Sequence, residues 1–311
     1  MDKIDQKLLL ALDNNPRMPQ TRLAKQLRIS QQVVSYRMQG LEKGKSIQKL
    51  AAIINLKKLG YEQYRIFFNF KANKYPNEEI FAFLKSQPGV FWAARLGGAF
   101  DLHVTLFVFD FDAFDAFMDL LNRKFPDLIE QYTAGYAIEH HLFKHKYLGS
   151  DAAAIKTKCT DPVVQLTKID RIILREVSEN CRVSALEMGK KAKVSYKTII
   201  SHQRNLEKSG VIAGYRLFVR DDTHKPFIVL LGFGRYATDQ EKRLLAFLEQ
   251  HHNVTQTVRL FGKWHLFCHI RADSSESVQK LLISLRSRFS IIHDYEVIPV
   301  FEDVAINLLP V

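Results

Sequence analysis

Apolar residues recur along this 311-residue chain in two different periods. Ile4, Leu8, Leu9 and Leu12 follow the spacing of a helix with one buried face. Asn14-Asn15-Pro16 ends that helix, since proline lacks a backbone donor and disfavours helix before it. Leu23, Ala24 and Leu27 predict a second, short helix, and Arg28-Ile29-Ser30 a tight turn. Ser30 is a good N-cap for a third helix, with Val34, Met38 and Leu41 on its buried face. From Tyr64 the pattern alternates. "YRIFFNFK" reads as a strand, "NEEIFAFLKSQ" as an amphipathic helix, and "VFWAARLGG" and "FDLHVTLFVF" as strands around a glycine turn. "FDAFDAFMDLLNRKF" is helical and "IEQYTAGYAIEHHLF" a final strand. The order βαββαβ implies an antiparallel sheet with both helices on one face.

After the midpoint the pattern begins again. A shift of 165 residues places Ile4 on Ile169, Asp5 on Asp170, Leu9 on Leu174, Asn15 on Asn180 and Arg17 on Arg182. It continues through Ser30 and Ser195, Val34 and Ile199, Leu41 and Leu206, Glu42 and Glu207, and Ile47 and Ile212. Ser184 and Glu187 form a capping box at the second helix of this copy. Its third helix is followed by Gly210-Val211-Ile212-Ala213-Gly214-Tyr215, a turn into a strand. A second βαββαβ pattern runs from "PFIVLLGFG" to "IIHDYEVIPVFE". Such a period is too long for a solenoid, so a whole two-domain protein is duplicated. The fold class is therefore α+β: two copies of a winged helix-turn-helix followed by a βαββαβ, ferredoxin-like domain. The expected domains are 1–55 and 60–148, a small polar linker at 149–165, then 166–220 and 225–311.

Composition adds a direction. The net charge is +12, and two short segments hold nearly all of it. Residues 1–50 carry ten Lys/Arg against four Asp/Glu, and residues 166–215 ten against five. Clustered positive charge on helix-turn-helix units favours a polyanion partner through phosphate contacts. The exposed face of the first third helix offers Gln31, Gln32, Ser35, Tyr36 and Gln39, with Arg37 nearby; the second offers Tyr196, Lys197, Ser201, His202 and Arg204. Gln can read adenine, and Arg or Lys can read guanine or hold phosphate. A polar helix face is also what any amphipathic helix shows, so the charge distribution matters to the reading.

Other chemistry is thin. Cys159, Cys181 and Cys268 form no CxxC pair, which argues against disulfides and a cysteine-rich metal site. His140, His141 and His145 crowd one segment, but an extended chain separates the last two by about 13 Å. His265, Phe267 and His269 share one face of an alternating strand. Signatures of nucleotide binding and hydrolysis such as GxGxxG, the P-loop, HExxH and Gly-x-Ser-x-Gly are missing, so no enzyme, metal or cofactor is expected. The longest apolar runs, such as Val104 to Phe109, fall short of the roughly 20 residues of a membrane span. The charged opening "MDKIDQK" shows no apolar signal region, so a cytoplasmic location is expected.

"IDQKLLLALDNNPRM…LAKQLRISQQVVSYRMQGLE" and "IDRIILREVSENCRV…VSYKTIISHQRNLEKSGVIAGY" resemble the Lrp/AsnC (feast/famine) transcription regulators. The resemblance covers nearly the whole chain, twice, and implies that each βαββαβ domain is a regulatory RAM domain. It further implies double-stranded DNA as partner, pairing of the two RAM domains within one chain as a pseudo-dimer, and further self-association. A small effector such as an amino acid would sit near the Gly-x-x-Asp turn, here Gly98-Ala99-Phe100-Asp101; the second copy has Gly262-Lys263-Trp264-His265 instead. A tight hairpin explains those glycines equally well. There are departures: copy one has Lys45-Ser46 for the family's Gly-Val, and Gly40 inside its third helix, which costs about 1 kcal/mol relative to alanine. Copy two has His202 where copy one has Arg37, and Gln203 at an apolar position. Siroheme decarboxylases resemble the same architecture, and "WHLFCHI" is faintly like their aromatic-rich strand, but the Trp-Pro-Tyr segment expected before it is missing. That enzyme and a scaffold with degenerate DNA readers are the alternatives to a regulator.

Overall fold

The computed structural model describes residues 2–44, 46–72, 74, 78–150, 153–220, 223–234 and 238–309. Asp2 opens α1 (Lys3–Asn14) by accepting from the Ile4 and Asp5 amides. Helix α2 (Gln20–Leu27) ends on Arg28 in the left-handed conformation, φ 56°. Ser30 then caps α3 (Gln31–Lys43) through the Val33 amide, and β1 (Ile47–Ile54) follows. The first βαββαβ pattern is β2 (Glu62–Phe70), α4 (Glu78–Ser86), β3 (Val90–Leu96), β4 (Leu102–Val108), α5 (Phe111–Lys124) and β5 (Ile129–Leu142). Within the stretch expected to be a linker lies a short strand, β6 (Ile155–Lys158).

The second copy restates these elements. A capping box of Thr167 and Asp170 starts α6 (Lys168–Glu179), and the expected Ser184–Glu187 box starts α7 (Ala185–Ala192). That helix ends on Lys193 at φ 55°, the position matching Arg28, so both helix-turn-helix corners turn alike. Ser195 caps α8 (Tyr196–Lys208), which leads to β7 (Ile212–Val219). Then come β8 (Lys225–Phe233), α9 (Thr238–Gln250), β9 (Val254–Gly262), β10 (Leu266–Ala272), α10 (Ser275–Arg288) and β11 (Ile292–Ile306). None of the described helices is long and apolar enough to cross a membrane.

The copies do not fold as separate halves. Two compact units form, and each draws on both copies. Met1–Asn55, Phe143–Ile155 and Val164–Asp222 make a helical unit; Leu56–Leu142, Lys156–Val163 and Thr223–Val311 make a sheet unit. In the helical unit β1 pairs antiparallel with β7, with Leu50 opposite Leu217 and Ala51 opposite Arg216. Ala51 and Arg216 are matched positions of the two copies, so the pairing runs about a local pseudo-twofold. A two-stranded ribbon is marginal alone. Here it is covered: Leu8, Leu9, Leu12, Leu23, Val34 and Met38 share one core with Cys181, Leu217 and Val219 of the other copy. The Cys181 amide also donates to the Leu50 carbonyl at 2.7 Å.

In the sheet unit, strands follow the order β2-β4-β3-β11-β8-β10-β9-β5-β6, and β2 also pairs with β5. Eight strands therefore close into a ring, with β6 added outside it. Each copy supplies four strands in ferredoxin-like order, joined at both edges: β3 to β11 and β5 to β9. Closure leaves no open edge in the ring, which removes a template for aggregation. Alternation along each strand then makes two cores. Ile66, Phe68, Leu102, Val104 and Leu106 point outward onto Ile80, Leu84, Phe114 and Leu121 of α4 and α5. Phe67, Leu96, Phe100, Ile228, Leu230, Val258, Phe267 and Ile298 fill the inside. The expected α+β duplication is present, and the structure adds that like domains pair with like.

Candidate functional site

Both recognition helices present most of the expected residues to solvent. On α3, Gln31, Gln32, Tyr36 and Gln39 are exposed, Tyr36 by 79%, and Ser35 is half-buried. On α8, Tyr196, Lys197, Ser201 and Arg204 are exposed. The surroundings differ. A groove of about 500 Å³ runs along α8, lined by Tyr196, Lys197, Ile200, Ser201, Arg204, Asn205 and Lys208. Its charged groups are all basic. Beside α3 a groove of about 510 Å³ includes Ser35, Gln39, Lys49 and Arg182 but also Glu42 and Glu179. Those carboxylates would repel a phosphate backbone, so the second helix carries the stronger electrostatic attraction.

Arg37 and His202, grouped with the readers in sequence, are tied down. Arg37 donates to Asp2 at 2.6 Å and to Asp5 at 2.8 Å. At the matched position His202 Nδ1 lies 2.8 Å from Asp170, the counterpart of Asp5. In each copy the side chain thus fastens the recognition helix to the first helix. Burial raises the Asp170 carboxyl, but hydrogen bonds from His202 and Thr167 outweigh it and hold the pKa below its ordinary value.

Arg17 and Arg182, which sequence reasoning marked only as repeat positions, lock the two copies together. Arg17 Nη1 donates to Glu207 and to the Tyr215 hydroxyl, each at 3.0 Å. Arg182 Nη1 donates to the Pro16 and Met18 carbonyls at 2.9 and 2.8 Å. Gln203 sits on the buried side of α8 because, with its amide oxygen turned toward Arg17, it accepts from that guanidinium and from Tyr215. The signal was an arginine kept at the same offset with no apolar role, but its partners lie about 190 residues away.

A buried ionic cluster lies behind α1. Asp13 is 0% exposed and accepts from the His145 backbone at 2.8 Å and from its Nδ1 at 2.7 Å. Arg216 donates to the Phe143 carbonyl at 2.8 Å and approaches His145 Nε2 at 3.5 Å. Burial pushes the Asp13 carboxyl up, yet His145 and Arg216 overcome that and hold it at about 2. The other two clustered histidines are also engaged: His141 with Glu139 at 3.1 Å, and His140 with Gln256 at 2.7 Å.

At the first hairpin turn, Gly98 takes φ +84° and Phe100 is buried against Phe67. Asn69 donates to the Ala99 carbonyl at 2.7 Å, and Asp101 accepts from the Phe70 amide at 2.8 Å. In copy two, His265 Nδ1 accepts from the Phe233 amide at 3.1 Å. Histidine thus replaces aspartate without losing the bond that holds the turn to its neighbouring strand.

Comparison with known proteins follows the same lines. A family model for the AsnC-type helix-turn-helix domain matches residues 1–42, and one for winged helix-turn-helix DNA-binding matches residues 166–213. The leucine-responsive regulatory protein of Salmonella typhimurium LT2 is 25% identical over 146 residues, 46% of this chain and 89% of that protein. An uncharacterized HTH-type transcriptional regulator of Pyrococcus horikoshii is 24% identical over 127 residues, 40% of this chain and 82% of its own length. The crystal structure of the siroheme decarboxylase NirDL superposes with a TM-score of 0.67 at 16% identity, over 97% of this chain and 92% of that one. This overturns the expectation that the chain is not an enzyme, because the same duplicated fold, end to end, is one an enzyme uses. Missing catalytic signatures did not exclude that, since they report on only a few chemistries. In sequence the relatives are regulators, and each copy opens on a helix-turn-helix of known type, AsnC-type at residues 1–42 and winged DNA-binding at residues 166–213.

Proposed function

We propose that this chain is a sequence-specific transcription regulator in which one polypeptide, as a covalent pseudo-dimer, presents two unlike DNA-reading helices. The observation that carries the reading is the helical unit. Strand pairing of β1 with β7 and the Arg17 and Arg182 bonds fasten two recognition helices whose exposed residues differ. Symmetric operators mirror symmetric proteins, so unlike helices call for unlike half-sites. The readers are Gln31, Gln32, Ser35, Tyr36 and Gln39 on one side and Tyr196, Lys197, Ser201 and Arg204 on the other. Arg37 and His202 support them from behind. Selection of bound duplexes from a random pool is expected to yield two different half-sites at fixed spacing; a perfect palindrome, or no enrichment, refutes the reading. The effector half gains little support from Gly98–Asp101, whose Ala99 carbonyl and Asp101 carboxylate already bond within the sheet.

A second reading rests on the full-length superposition with a siroheme decarboxylase. If the chain shares that activity, adding siroheme to the purified protein is expected to give a saturable absorbance change and products lighter by the mass of carbon dioxide. Unchanged siroheme after prolonged incubation removes this reading and leaves the first untouched.

A further inference from the structure

The inside of the barrel is not uniformly apolar. Arg65 on β2 lies opposite Thr105 on β4, and Phe67 opposite His103. Arg65 is only 2% exposed, and among the described residues no carboxylate pairs with it. Its Nη1 donates to Thr105 Oγ1 at 2.8 Å and lies 3.4 Å from His103 Nε2. The guanidinium rests over the Phe267 ring, 4.5 Å from the centroid. Its Nε makes no hydrogen bond. Dehydration pushes the group down to about 9, so it is still charged at neutral pH. Burying an uncompensated charge is costly even after the surroundings relax.

His103 stands beside the guanidinium and stays neutral. A guanidinium has only donors, so the Thr105 hydroxyl accepts from Arg65 and passes its own hydrogen to His103 Nε2, 3.0 Å away. Burial, then the Arg65 charge, keeps the ring neutral at physiological pH. The ring proton is thereby placed on Nδ1. The Ile66 backbone offers that N–H an acceptor, though not in good hydrogen-bond geometry. The cluster therefore offers an unmet N–H on Arg65 and a positive charge with no carboxylate beside it among the described residues. Aromatic walls enclose it: Phe67, Trp92 and Phe267 lie 4.6, 4.8 and 5.7 Å from the His103 ring.

The fold does not require this cluster. The strand pair Phe68–Leu102 in copy one corresponds to Leu231–Leu266 in copy two. On that register Ile228, Leu230, Phe267 and His269 stand where Arg65, Phe67, His103 and Thr105 stand. The same sheet position is thus built once around the guanidinium of Arg65 and once around the aliphatic Ile228.

We propose that Arg65, His103 and Thr105 form a site inside the barrel for a small organic carboxylate, whose flat or apolar body packs among Phe67, Trp92 and Phe267. A carboxylate supplies the acceptor and the negative charge that Arg65 lacks, and matches the planar fork of a guanidinium. The inference rests on the barrel alone and is independent of the DNA reading.

Benzoate is the probe, benzamide its neutral counterpart, and acetate at equal ionic strength the salt control. A ligand that binds only the folded state raises its stability with concentration. Benzoate is expected to raise the unfolding midpoint of the full chain and to change tryptophan fluorescence saturably; benzamide and acetate are not. Arg65→Met is expected to fold with a midpoint at or above that of the parent and to lose both responses, while DNA affinity without benzoate is unchanged. Should that variant fail to fold, His103→Phe, the residue of the second copy, is expected to weaken the benzoate response at least tenfold. No saturable response, an equal response to benzamide, or a response that survives the substitution overturns the proposal. Loss of DNA binding in the parent would instead strike the regulator reading.

Discussion

Asp13→Ala is expected to destabilise the helical unit by about 3–5 kcal/mol, the usual cost of removing one member of a buried ion pair. The substitution removes the acceptor of the His145 amide and Nδ1 and takes a negative charge away from the neighbourhood of buried Arg216. Asp13→Asn keeps an acceptor oxygen and is expected to cost less. The same pair sets an acid limit. With the Asp13 carboxyl held at about 2 against an ordinary 3.8, the stabilisation is full above pH 4 and is lost as pH falls toward 2. A shift of that size corresponds to about 2 kcal/mol. Urea denaturation followed by circular dichroism, at pH 7 and pH 3, measures both effects. A cost below 1 kcal/mol for alanine, or equal pH dependence in parent and variant, would refute the assignment.

Replacing Lys197 and Arg204 together by alanine is expected to weaken DNA binding by about 10–100-fold at moderate salt and to lower the slope of log affinity against log salt by about 2. Both side chains line the basic groove along α8. Arg37→Ala is expected to behave differently. Its charge is already neutralised by Asp2 and Asp5, so the loss falls on the unfolding midpoint while the salt slope stays unchanged. Affinity titrations at several salt concentrations separate the two. An Arg37 variant that flattens the salt dependence as much as the α8 pair does would show that this arginine touches phosphate after all.

Much of the architecture was legible from local pattern. Ser30, Ser184 and Ser195 marked helix starts because a cap is decided within three residues of chain. The βαββαβ order followed from the switch of apolar period, and the duplication from matched positions such as Arg17 and Arg182. The exposed faces of α3 and α8 were legible in outline, since exposure follows the helical period. The carboxylate partners of Arg37 and His202 were not legible for a physical reason: a polar residue on a helix looks the same in sequence whether it faces solvent or a carboxylate from a distant segment. Arg65 was equally silent, because alternation put it on the opposite face from Ile66 without showing that this face would be sealed.

By itself, then, the sequence determined the elements, the repeat, and the placing of positive charge on two helix-turn-helix units. Those depend on periodicity and on neighbours a few residues apart. Only the tertiary structure decided how the copies combine, because each βαββαβ sheet has one bare face and two open edges that nothing local can cover. Pairing like domains closes the barrel and sets matched positions against each other. Ala51 faces Arg216 at that pseudo-twofold. Two identical copies would set two like charges together there, whereas a single chain carrying unlike copies keeps one arginine and supplies it with Asp13 and His145 from elsewhere.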